Sequence, residues 1–156
     1  MFIKYVKLIH DKFENDFGFI EGTHVDNMNI VIDELKQISY QHCPITIYSW
    51  GLKKDIIADD CELIFDVSLF FTKIEDRSNL SNMTGKDIEI QESILCHHRF
   101  LDLIKLVIST IDDERPKCIA FVCNHGKHRS VGWAEILKKY YYHFSKIKHI
   151  KFKKSK

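Results

Sequence analysis

Cys118-Ile119-Ala120-Phe121-Val122 is a continuous apolar run set behind Arg115-Pro116-Lys117. A strand with one wet face alternates apolar and polar residues. An unbroken run suits a strand covered on both faces, which is the parallel-sheet case. A loop follows, Cys123 to Ser130, and then a helix is expected over about 130–144 with Val131, Ala134, Leu137, Tyr141 and Phe144 turned inward.

Upstream segments repeat the alternation. Phe2 to Ile9 reads as a strand, and a second short one is expected at Phe17 to Ile20. Met28, Val31, Ile32, Leu35 and Ile38 fall at helical spacing, so residues 27–41 are expected to form an amphipathic helix closed by Pro44. Ile45 to Tyr48 and Leu63 to Val67 read as strands, with a polar loop over 68–87. Ile90, Ile94, His97, Leu101, Ile104, Ile108 and Ile111 recur at steps of four and three, predicting one helix over 88–111 with His97 as a packing residue. Ile147 to Phe152 reads as a last strand. The class expected is α/β: an open, mostly parallel sheet with flanking helices in a single domain.

The chain has 156 residues, enough for one domain with a real core. Its apolar stretches are too short to cross a bilayer, so no membrane partner is expected. Cys43, Cys61, Cys96, Cys118 and Cys123 are scattered and odd in number, which speaks for a reducing, cytoplasmic setting. No CxxC pair exists, so no metal site is expected. Charge is unevenly placed: eight lysines and no acid follow Glu135, against 15 basic and 22 acidic residues up to it. A basic end on an acidic body points to an anionic partner, or else to a merely solvated tail.

Open parallel sheets bind ligands beyond the carboxyl ends of their strands. That rule singles out Cys123-Asn124-His125-Gly126-Lys127-His128-Arg129-Ser130. Amides at a helix N-terminus and the helix dipole favour an anion there. Gly126 allows the backbone to curl, and Arg129 offers a planar fork to phosphate oxygens. Lys127, His125 and His128 add charge or hydrogen bonds, and Ser130 can cap the helix or bond an oxygen of the ligand. The alternative is a solvated strand–helix turn. The spacing Cys123-x5-Arg129-Ser130 is also the loop pattern of cysteine-dependent phosphatases, with Cys123 as nucleophile and Arg129 as clamp. Such an enzyme needs an acid for the leaving group, for which Asp66 and Asp87 are the nearest candidates.

The same loop, continued as Val131-x-x-Ala134-Glu135, resembles the signature of the C-terminal domain of RapZ-type RNase adapter proteins. Ser49-Trp50-Gly51-Leu52-Lys53 is similar to that family's aromatic-glycine segment. Phe65-Asp66-Val67 is similar to its Phe-Asp-Val strand end, and Met83-Thr84-Gly85-Lys86-Asp87 to its Thr-Gly-x-Asp loop. The resemblance divides the chain into an N-terminal extension (1–43), the α/β domain (44–152) and a basic tail (153–156).

The resemblance implies a module that binds a phosphorylated small molecule, glucosamine-6-phosphate, and RNA. It implies ligand contacts at Asn124, His125, Gly126, Lys127, His128, Arg129 and Ser130, at Thr84 and Gly85, and at Lys54, where the family usually has His. Asn124 and His125 stand where the family commonly has Thr and Gly, and Ser68 where it has Arg. RNA contacts fall on Lys146, Lys148, Lys151, Lys153, Lys154 and Lys156. The family's Walker loop is absent from this sequence, so no ATP site and no other cofactor is expected. Pairing with another copy is left open.

Overall fold

The computed structural model describes residues 4–8, 29–33, 45–52, 60–70 and 82–150. Five strands, β1 (Lys4–Lys7), β2 (Thr46–Gly51), β3 (Leu63–Asp66), β4 (Cys118–Cys123) and β5 (Lys146–His149), form one sheet in the order β1-β3-β4-β2-β5. Every pairing is parallel, so the expected α/β class is what the chain adopts. The helices are α1 (Ile88–Leu95), α2 (Phe100–Glu114) and α3 (Arg129–Tyr140), and residues 29–33 are also helical.

The apolar run of β4 is the centre of the sheet, hydrogen-bonded to β3 on one side and β2 on the other. All six of its residues are buried. Its side chains alternate between two cores, as strand geometry requires. Ile119, Phe121 and Cys123 join the larger core, formed with Ile47, Leu63, Phe65 and the apolar faces of α1, α2 and α3. Cys118, Ala120 and Val122 join a smaller one with Trp50, Cys61 and Ile64. Trp133 of α3 anchors the larger core, its ring in contact with Phe70, Phe100 and Phe121.

The N-terminal strand is part of the same sheet. β1 runs in register with β3, Lys4 opposite Leu63 and Lys7 opposite Asp66. Leu8 continues the ladder, its N–H donating to Asp66 O at 2.8 Å. The strand expected at 17–20, and the ends of the helix expected at 27–41, lie outside the described residues.

Two expectations need correction. The single helix predicted over 88–111 is two helices, broken at Cys96–Arg99. No glycine or proline marks the break. Instead the His97 imidazole Nδ1 accepts the Arg99 backbone N–H at 3.0 Å, and Phe100 N–H bonds the His97 carbonyl at 2.9 Å, closing a tight turn. His97 itself is buried, its ring 4.1 Å from that of Phe70. The apolar period survives because α2 resumes on the same core. The second correction concerns Phe144, which is 72 % exposed rather than inward. α3 ends at Tyr140, and the turn through 141–145 takes residue 144 off the helical period. Val131, Ala134, Leu137 and Tyr141 do face the core.

Candidate functional site

β2, β3 and β4 are adjacent, and their carboxyl ends carry three of the four segments singled out in the sequence. β4 ends at Cys123, residues 124–128 form the loop, and α3 opens at Arg129. Gly126 has φ +69°, the left-handed region that side chains resist. It also abuts β2 directly: a Cβ there would lie 2.4 Å from Gly51 N, and one on Gly51 would lie 2.7 Å from His125 C. Two glycines thus let the loop lie backbone to backbone on the end of β2. The Cys123 sulfur pins it from beneath. Its Sγ accepts the Gly126 N–H at 3.3 Å and lies 3.2 Å from Ser130 Oγ. Cys123 and Ser130 are buried, whereas Asn124 and His125 are exposed and residues 126–129 are partly accessible.

The other two segments close the far side. Arg129 Nη1 donates to the carbonyl of Ser68, just past the end of β3, so the guanidinium is turned across the sheet end. Gly85 N–H donates to Lys127 O at 2.9 Å, and a Cβ on Gly85 would lie 2.1 Å from Gly132 N and 2.4 Å from His128 O. Glycine is required there purely by closeness. Thr84 and Asp87 shape the turn around it. Asp87 Oδ2 accepts the Thr84 N–H at 2.7 Å, Thr84 Oγ1 accepts the Lys86 N–H at 3.1 Å, and Gln91 Nε2 donates to Gly85 O at 2.9 Å. Segments 50–51, 66–68, 84–87 and 123–132, distant in sequence, therefore meet around one loop.

Both carboxylates considered as acids are engaged in structure. Asp66, buried at the end of β3, accepts the Ser68 N–H at 2.8 Å and the Tyr5 hydroxyl. Burial, and then the bond to Asp66, push the Tyr5 hydroxyl well above the usual tyrosine range. Asp87 holds the Thr84 turn. Lys54 lies outside the described residues, as do Lys151, Lys153, Lys154 and Lys156. Lys146 and Lys148 stand exposed on β5, on the sheet edge opposite β1, and Lys148 Nζ lies 5.8 Å from the Tyr48 ring.

One partly buried polar chain had no signal in the sequence pattern. Ser49, fully buried in β2, has its Oγ 2.5 Å from His149 Nδ1, and His149 Nε2 is 2.9 Å from Glu135 Oε1. It ties β2, β5 and α3 together. Only the parallel register, Ser49 opposite His149, could have revealed it.

A sequence model of the RapZ C-terminal domain matches residues 43–154. A protein of Caldicellulosiruptor bescii called a nucleotide-binding protein is 36% identical over 114 residues, which is 67% of this chain and 38% of the relative. One of the same name from Halothermothrix orenii is 33% identical over 112 residues, 66% of this chain and 39% of the relative. The chain thus spans less than two fifths of the length of either relative.

Proposed function

The chain belongs to the RapZ C-terminal domain family, and on that premise we propose that it is a binding module rather than an enzyme. It holds a phosphorylated amino sugar, with glucosamine-6-phosphate as the reference ligand, in the 123–130 loop, and it meets RNA through the lysines of β5 and the residues beyond. The observation that carries this reading is the convergence of four segments on the loop, with Gly126 curled against Gly51 and Arg129 drawn inward by Ser68. A helix N-terminus following a curled loop favours an oxyanion, and a guanidinium with one N–H already fixed loses little freedom on taking another oxygen. Asn124, His125, Lys127 and His128 are accessible enough to reach a sugar, while Cys123 and Ser130 support the loop from inside.

Catalysis by Cys123 is the rival. The Gly126 N–H and the Ser130 hydroxyl beside the sulfur are the partners a nucleophilic thiolate needs. Burial of the thiol and the engagement of Asp66 and Asp87 favour binding. Calorimetric titration with glucosamine-6-phosphate and with inorganic phosphate tests the proposal. Saturable binding is expected for the native chain, and Arg129→Ala should weaken it by about 1.5–3 kcal/mol, the scale of a charge-assisted hydrogen bond. Absence of saturation with both ligands refutes the pocket. Turnover of an aryl phosphate that Cys123→Ser abolishes would install the enzyme instead.

A further inference from the structure

A recess among the described residues lies away from the loop. It is a groove of about 480 Å³ between the start of α1 and the outer half of α3, lined by Lys86, Ile88, Gln91, Glu135, Lys138, Lys139 and His143. No residue of 123–130 lines it. Its size is that of a small-molecule site, too large for one phosphate group. Its walls carry three ammonium groups, one from the 84–87 turn and two from α3. The single carboxylate, Glu135, is drawn back to His149 Nε2 at 2.9 Å. Lys86 and Lys139 are exposed, and Ile88 is 64 % exposed at the rim. Lys139 Nζ also lies 5.3 Å from the Tyr140 ring. Gln91 is occupied within the turn, donating to Gly85 O and, at 3.3 Å, to Lys86 O.

Lysine is a mobile point charge without a fixed fork, so such a wall selects charge density rather than the shape of one group. We propose that this groove is a second anion site, which takes a ligand carrying several closely spaced phosphates. It acts apart from the loop, none of whose residues lines it. That chemistry is shared by a free polyphosphate and by the backbone of single-stranded RNA, and the test separates them.

The full chain is titrated with inorganic tripolyphosphate and with a labelled RNA oligonucleotide at fixed salt. The Lys138→Glu/Lys139→Glu variant is compared with Lys105→Glu/Lys117→Glu, which carries the same change in net charge on exposed positions elsewhere. The groove variant should weaken whichever probe binds by about tenfold or more, the scale of charge-assisted hydrogen bonds. The control should stay within about twofold of the native chain. Weakening confined to tripolyphosphate identifies a free polyphosphate as the occupant, and weakening confined to the oligonucleotide identifies a nucleic-acid backbone. Equal weakening by the control, or no binding of either probe, overturns the proposal. Circular dichroism shows whether each variant is folded. Because Arg129→Ala reports on the loop alone, failure of the groove and failure of the loop are read separately.

Discussion

At Gly126 two constraints coincide. Its φ of +69° costs a side-chain-bearing residue about 1–2 kcal/mol, and an added Cβ would press on Gly51 N at 2.4 Å. Gly85 carries only the second constraint, but more severely, at 2.1 Å from Gly132 N. Both neighbours are backbone and cannot swing aside. Gly126→Ala and Gly85→Ala are therefore each expected to lower stability by about 2 kcal/mol or more, read as a reduced urea midpoint. Gly126→Ala should also abolish phosphate binding, because the loop must leave β2 to relieve the contact. An unchanged midpoint in either variant would mean that the loop is not held as described. The sequence displayed Gly51, Gly85 and Gly126 inside three of its four recognisable segments, and so the components of the site were legible. What each glycine abuts was not, because the approach of residue 126 to residue 51 depends on three-dimensional strand order alone.

β5 shows how one element serves two ends. It is an edge strand of the sheet, paired with β2 from Thr46–Lys146 to Ser49–His149, and it carries exposed Lys146 and Lys148. Removing residues 146–156 would strip β2 of that partner and leave buried Ser49 without His149, so such a truncation confuses folding with binding. Neutralising the charges separates them. With Lys146, Lys148, Lys151, Lys153, Lys154 and Lys156 all changed to Gln, the thermal midpoint should barely move, since the described pair, Lys146 and Lys148, is exposed and exposed charges contribute little. The salt dependence of binding to single-stranded RNA should flatten by about 0.7 in log-log slope for each phosphate no longer neutralised by a lysine. An unaltered slope would exclude RNA from this strand. At the same scale β4 was readable because five apolar residues in succession, set behind Arg115-Pro116, suit a doubly covered strand. The α1–α2 break was not. It is made by an imidazole capturing a backbone N–H at Arg99, and the hydrophobic period runs on through it.

Over the whole molecule, the buried thiols report how completely the interior excludes water, Cys61 and Cys118 from the smaller core. Burial pushes Cys61 and Cys96 up to about 11, and the Cys118 thiol higher still, through burial and then the neighbouring Cys61. All three are buried free cysteines. In the unfolded chain each ionises near the ordinary thiol value of 9.0. Below that pH both states hold the protons and stability is unaffected. Above it the unfolded state releases protons that the folded state keeps, so stability falls as pH rises from 9 toward 11, by about 1.4 kcal/mol per pH unit for each thiol. Urea midpoints in the presence of a reductant should accordingly be level between about pH 7 and 8 and drop steeply toward about pH 10. Cys61→Ala leaves a small cavity and should start lower at neutral pH, yet decline less steeply, because one of the proton-retaining groups is gone. A level profile up to about pH 10, or a decline in Cys61→Ala as steep as that of the native chain, would mean that water reaches the second face of the sheet. The smaller core of Trp50, Cys61, Ile64, Cys118, Ala120 and Val122 would then not be closed. That face backs the strands whose ends carry the loop, so its closure is a condition for holding the loop against β2.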